Sequence, residues 1–321
     1  MTKASPSPAP RPPLWASVCA RLVRRLPAGR YRLMSWLSSR SRPGRFVARL
    51  DVGLPLRYEC DLRNALAREV FFTGQYEPQE TVVLKSLLVP GGTFVDVGAH
   101  WGYFSLLAAG LVGEFGRVIA VEADPRIHAT LAANLALNKL SWVTAHHAAI
   151  AAGEGTVELV GYSDAQENWG LSRIADARSA KAAAPDRFWV PARALDDILD
   201  ELRAPAVDLV KMDIEGAEGF ALQGMQRGLR SGRYRRLLLE LHPAELRGHG
   251  MDPRALLEQL LSLGYRGLTI DHSPGTTRRA AYDRHFDARD ALRALDVSKP
   301  FDAWPHTLWL APGIAPPPGV G

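Results

Sequence analysis

The chain has 321 residues, 47% of them hydrophobic, which suits one large α/β domain plus an extension and excludes a disordered or fibrous protein. Its two cysteines, Cys19 and Cys60, are far apart and lack spaced Cys/His partners, so neither a disulfide framework nor a structural zinc site is indicated. The formal charge of +5 is uneven: residues 1–50 hold Lys3 and ten arginines with no acid, a local +11, leaving about −6 on the rest.

In chain order, residues 1–13 are rich in Pro and Ser and have too little apolar surface to offset ordering entropy, so a flexible tail is expected. Leu14, Trp15, Val18, Cys19, Leu22, Val23 and Leu26 then recur at helical spacing opposite Arg21, Arg24 and Arg25. This amphipathic helix is expected to end near Pro27 and to pack on its own domain; contact of residues 14–50 with an anionic membrane surface is the alternative. The acidic body is not built like a nucleic-acid groove. No run spans a membrane: 97–113 carries glycines and His100, and the segment after Asp302 is broken by Pro305 and Pro312. No apolar leader follows Arg25, although an Arg-rich, acid-free start fits an organellar transit peptide by composition.

A hairpin is expected at 46–60 and a helix at 64–72. From Thr81 onward, apolar strands alternate with helical segments, the pattern of a parallel sheet covered on both faces. Strands are predicted at 93–97, 117–122, 142–147, 156–160, 207–212, 236–241, 266–271 and 306–311. Helices are predicted at 79–89, 103–112, 125–138, 194–202, 216–229 and 252–263, with an insertion loop at 175–186.

The segment 93–105, TFVDVGAHWGYFS, is a buried strand running into a glycine loop and a helix, which puts Gly98, Ala99 and Gly102 at a strand's carboxyl end, where open α/β sheets bind ligands. If Gly98 opened a G-x-G-x-x-G fingerprint, its later glycines would fall on His100 and Tyr103, so the dinucleotide pattern fails. Asp96 at the strand end would repel a pyrophosphate but favour the cationic methionine end of S-adenosylmethionine (SAM). Glu122, ending the next strand, is placed to accept hydrogen bonds from ribose hydroxyls. Each feature also has a plain structural alternative: the glycines shape a turn, Glu122 is a solvated strand end, and Asp124 caps the helix that starts at Pro125.

Taken with 121–125 (VEADP), 208–218 (DLVKMDIEGAE), 237–243 (LLLELHP) and 71–77 (FFTGQYE), segment 93–105 resembles the FkbM family of SAM-dependent methyltransferases over residues 70–270. The resemblance implies a Rossmann-like class I fold with a doubly wound, mostly parallel sheet in residues 79–315, preceded by a basic extension at 14–78. It also implies a cytoplasmic enzyme that methylates a hydroxyl of a secondary metabolite, glycan or other small acceptor, with Asp96, Gly98 and Gly102 holding the methionine part of SAM and Glu122 the ribose.

An alcohol needs its proton removed before it attacks a sulfonium methyl, so a base or metal is expected nearby. Lys211, Asp213 and Glu215 occupy alternate positions and share a face if the strand geometry continues. Buried Lys211 needs a partner, and Glu240 is the expected one. Asp213 or His242 is the expected proton acceptor, with Glu215 orienting substrate or a metal. The carboxylates are compatible with a divalent ion, although their spacing does not demand one. The segment 168–172 (NWGLS) is a candidate cover for the site. Two other classes stay open: methylation of RNA or protein, prompted by the basic arm, and a non-catalytic protein on the same fold.

Overall fold

The computed structural model describes residues 10–38, 44–161, 172–175, 186–298 and 305–320. The tail before residue 10, most of the expected insertion and residues 168–171 lie outside them. The chain divides into two compact units, one through Tyr76 and one from Glu77.

The first unit comprises α1 (Leu14–Val23), α2 (Arg30–Ser38), the antiparallel hairpin β1 (Arg45–Asp51) and β2 (Pro55–Asp61), and α3 (Ala65–Thr73). Asn64 caps α3 by accepting from the Ala67 amide, and Gly74 ends it at φ 87°. Of the apolar stripe of α1 expected to pack inward, Val23 is buried but its larger members are not. The helix buries Ala16, Ala20 and Val23, whose spacing makes one close-approach stripe, while Leu14, Trp15, Val18 and Leu22 stay exposed.

In the second unit α4 (Pro78–Leu87) precedes β3 (Thr93–Val97), α5 (Tyr103–Val112), β4 (Arg117–Glu122), α6 (Pro125–Asn138) and β5 (Val143–His147). A small sheet follows, built from β6 (Ala149–Ile150), β7 (Gly155–Gly161), β8 (Arg173–Ile174) and β9 (Asp186–Arg193). After α7 (Leu195–Glu201) come β10 (Leu209–Met212), α8 (Glu218–Gln223), α9 (Gln226–Ser231), β11 (Arg236–Glu240), α10 (Pro243–Gly248), α11 (Pro253–Ser262) and β12 (Arg266–Ile270). The chain continues through α12 (Pro274–Tyr282), α13 (Ala288–Ala291) and β13 (Leu292–Ala294) to β14 (His306–Leu310). One long helix expected at 216–229 is two, α8 and α9, separated at Gly224, where an added Cβ would lie 2.0 Å from the Ala151 carbonyl oxygen.

The main sheet has the order β13-β12-β14-β11-β10-β3-β4-β5. β4, β5, β10 and β11 run parallel to β3, and β14 enters antiparallel between β11 and β12. This is the Rossmann-like class I methyltransferase fold. Val95, Val97, Ile119, Val121, Val210, Met212, Leu237 and Leu239 form one continuous buried core with helix residues such as Leu195, Leu222 and Leu257. The chain leaves β3 toward β4 on one side and returns at β10 on the other, so a crevice opens at the carboxyl ends of these strands.

Candidate active site

Three strand ends meet around the loop after β3. Asp96 is buried and accepts a 2.6 Å hydrogen bond from the Ser105 hydroxyl of α5. Burial is the largest influence on its carboxyl group and pushes it up to about 6, against the opposing pull of Lys211. Glu122 Oε2 accepts from the His100 amide and Oε1 from the Asp124 amide, each at 2.8 Å, so this carboxylate ties the β3 and β4 loops together. Burial again dominates and pushes Glu122 up to about 7 although the amide bonds oppose it. Asp124 is the cap expected of it, accepting from the Arg126 and Ile127 amides at the start of α6, and it also accepts from Ser172 at 2.6 Å.

Gly98 and Gly102 have φ of 81° and 98°. What crowds them is the protein itself: a Cβ on Gly98 would sit 1.9 Å from the Asp213 carbonyl oxygen, and one on Gly102 2.7 Å from Leu131 Cδ1. Gly98→Ala is therefore expected to destabilise the fold by roughly 3 kcal/mol or more, measured by urea unfolding; a loss under about 1 kcal/mol would show that the loop relaxes freely.

On the other side of β3, Lys211 pairs in register with Asp96. Its expected partner Glu240 is not the one it reaches. Lys211 Nζ lies 3.4 Å from Asp213 Oδ2 and 3.8 Å from Glu77 Oε2, and 4.5 Å from the centre of the Phe104 ring. Burial works against the ammonium, but Asp213 and Glu77 outweigh it and raise its pKa. The strand stops at Met212, and Glu215 takes a left-handed φ of 53°, so the expected extended alternation ends there. The turn nonetheless delivers Glu215 to the same cluster.

His242 is the centre of that cluster. Its Nδ1 lies 2.9 Å from Glu218 Oε1, and its Nε2 lies 3.4 Å from Glu215, 3.8 Å from Glu240 and 4.0 Å from Asp213. Burial opposes a charged ring, but Glu218 and its neighbours prevail and push His242 up to about 10. A pKa so raised keeps the ring an imidazolium at neutral pH, a donor, which leaves Asp213 as the better of the two expected candidates for proton acceptor. Asp213 is also opposed by burial, yet Lys211 and His242 hold it ionised, below the usual carboxylate range. Burial pushes Glu215 and Glu77 up to about 7 and Glu240 up to about 8. Asp213, Glu240 and His242 each offer one atom within 4.8 Å of the others, a set able to hold a cation.

Several residues in this network had no role from the sequence. Glu77, at the start of the second unit, faces Lys211. Glu80 on α4 meets His272, just after β12, and His306, the first residue of β14. His306 Nε2 is in turn 3.5 Å from Glu240 Oε1. The available signal was their position, since His272 and His306 flank strands predicted to close the sheet.

The β3 and β4 loops fit the polar parts of SAM. Glu122 spends one acceptor position per oxygen on the amides and keeps others for hydroxyl donors. Beside it, both ring nitrogens of His100 are buried without a hydrogen-bond partner, and burial pushes that ring down to about 4, so it stays neutral. An orphaned neutral imidazole next to a carboxylate with spare acceptor capacity suits a ligand bearing both hydroxyls and charged ends.

Residues 96–266, just over half of the chain, match the model of the Methyltransferase FkbM domain. Comparison with curated proteins finds no match. Among solved structures, the chain is similar to a precorrin-6y C5,15-methyltransferase from Geobacter metallireducens, at 16% identity over 72% of this chain and 86% of that one, with a TM-score of 0.36. It is also similar to a SAM-dependent O-methyltransferase from Thermotoga maritima, at 12% identity over 77% of this chain and 71% of that one, with a TM-score of 0.36. A third is fibrillarin from Aeropyrum pernix with natively bound S-adenosyl-L-methionine, at 12% identity over 72% and 73% of the two chains, with a TM-score of 0.37. The chain belongs to the FkbM family of SAM-dependent methyltransferases.

Proposed function

We propose that the chain methylates a hydroxyl oxygen on a small or glycan acceptor. The observation that carries this is Asp213, an ionised carboxylate held between Lys211 and His242 at the crevice. SAM, when bound, supplies an electrophilic methyl group on a sulfonium. Asp96 and the 98–102 loop, Ala99 included, hold its methionine part, and Glu122 holds the ribose. Asp213 takes the hydroxyl proton as the acceptor's O–CH3 bond forms, and the electron pair of the breaking S–CH3 bond stays on sulfur. Glu77, Glu215 and Glu240, whose carboxyls sit near neutrality, hold or pass on the proton, and the Lys211 ammonium keeps Asp213 aimed.

Because Lys211 and the His242 imidazolium balance the ionised acids while the raised carboxyls of Glu77, Glu215 and Glu240 can donate or accept hydrogen bonds, the cluster favours an uncharged, hydroxyl-rich acceptor over a polyanion. The test is transfer of labelled methyl from SAM to a panel of sugars, polyols and phenols beside bulk RNA. Label in a base-stable ether supports the proposal. Label in RNA that is lost at high salt, or on deleting residues 1–50, would replace it.

For the first unit we infer contact with an anionic lipid surface. Leu14, Trp15, Val18 and Leu22 form an exposed arc of α1 with Arg21 and Arg25 beside it. The chain is expected to co-sediment with vesicles containing phosphatidylserine, with a blue shift of tryptophan emission. Leu14→Ser combined with Leu22→Ser should weaken binding about tenfold; equal binding by the variant would discard this contact. Among the described residues no helix is long and apolar enough to cross a membrane.

A further inference from the structure

Outside the crevice loops, three elements far apart in sequence bring Glu80, His272 and His306 to one point. His272 Nε2 lies 2.7 Å from Glu80 Oε1, and His306 Nδ1 lies 2.9 Å from the same oxygen. The two imidazoles overlap with ring centres 4.2 Å apart and planes tilted by 32°. Glu80 is 1% exposed, and its second oxygen, Oε2, is buried with no hydrogen-bond partner. Hydrogen bonding alone therefore crowds two rings onto one oxygen and strands the other, at a cost in lost solvation for a buried carboxylate.

We propose that Glu80, His272 and His306 form a binding site for a divalent first-row transition-metal ion. Two imidazoles and one carboxylate are a donor set suited to zinc and its neighbours, with positions left for further ligands. The three donor atoms lie within 4.8 Å of one another. Ligand distances of about 2.0–2.2 Å require the closest donors to part by roughly half an ångström, and Glu80 Oε2 then gains a charge partner. On binding, His306 gives up its Nδ1 proton to solvent and keeps Nε2–H directed at Glu240 Oε1, 3.5 Å away. A metal-bound histidine whose other nitrogen donates to a carboxylate is fixed in tautomer and orientation. The ion would thus position Glu240, which faces His242, without itself occupying the crevice loops. His272, with 37% of its side chain exposed, marks the entry side.

The full chain, stripped with chelator, is titrated with Co²⁺ and followed by its visible ligand-field absorption, then with Zn²⁺ as competitor. One equivalent of Co²⁺ is expected to bind below about 10 μM and to be displaced by Zn²⁺. Glu80→Gln and His272→Ala should each weaken binding by about 30-fold, whereas Asp213→Asn leaves it within threefold. The half-exposed His272 keeps the test usable if Glu80→Gln does not fold, with circular dichroism as the check. Absence of a saturable band, or unchanged binding by folded His272→Ala, would overturn the proposal. So would a loss confined to Asp213→Asn, which would place the ion on Asp213, Glu240 and His242. None of these outcomes depends on the acceptor or on methyl transfer.

Discussion

Asp213→Asn is expected to lower single-turnover methyl transfer by about 10²- to 10⁴-fold, the range that a positioned base contributes. The comparison is made with an acceptor returned by the screen. The amide keeps the shape of the side chain and a carbonyl oxygen for Lys211, but it cannot take up the hydroxyl proton. Lys211 retains Glu77 at 3.8 Å, so the variant should stay folded. Because Asp213 follows β10 and is not part of the β3 and β4 loops proposed to hold the cofactor, the affinity for S-adenosylhomocysteine should change by less than about threefold. Turnover within tenfold of wild type would remove Asp213 as the base and shift attention to Glu215, whose pKa of about 7 better matches a proton acceptor.

Glu122→Ala should have the largest effect on cofactor affinity. The substitution strands the amides of His100 and Asp124 and removes the proposed acceptor for the ribose, together several kcal/mol, so calorimetric affinity for S-adenosylhomocysteine should fall at least about 100-fold. A lower melting temperature is expected as well, since the carboxylate ties two loops. The 2′-deoxy form of the ligand separates the two roles. Wild type should bind it about tenfold more weakly than the parent ligand, whereas Glu122→Ala should not distinguish them. If wild type binds both equally, Glu122 organises the loops without touching the ribose.

Much of the sheet was legible because its strands are short apolar runs closed by strong punctuation. β3 ends at Val97 just before Gly98, and β4 at Glu122 before an Asp-Pro helix start, and both match their predicted bounds. The partners of buried charges were not legible. Lys211 meets Glu77 and Asp213 instead of Glu240 because side-chain pairing depends on how loops fold back, which no period in the sequence encodes. His272 and His306 were missed for a related reason. An antiparallel strand begins where its parallel neighbours end, so the first residue of β14 arrives beside the last residue of β11, as the register of His306 opposite Glu240 shows. α1 shows a different limit: the pattern marked its amphipathicity, but the small-residue stripe and not the large one is buried.

The late entry of β14 between β11 and β12 bears on how the protein is made. Until residues 306–310 have left the ribosome, β11 has one open edge and β12 lacks its inner neighbour. β12 can join the sheet only through the last strand, so the native register closes through contacts of long sequence separation, which form late and slowly. The nascent chain thus carries an unpaired apolar edge at Leu237, Leu238 and Leu239 during synthesis, a hazard for aggregation that a truncation before residue 306 would make permanent. His306 comes with that final strand, so the ionisable network and the sheet are completed in a single step.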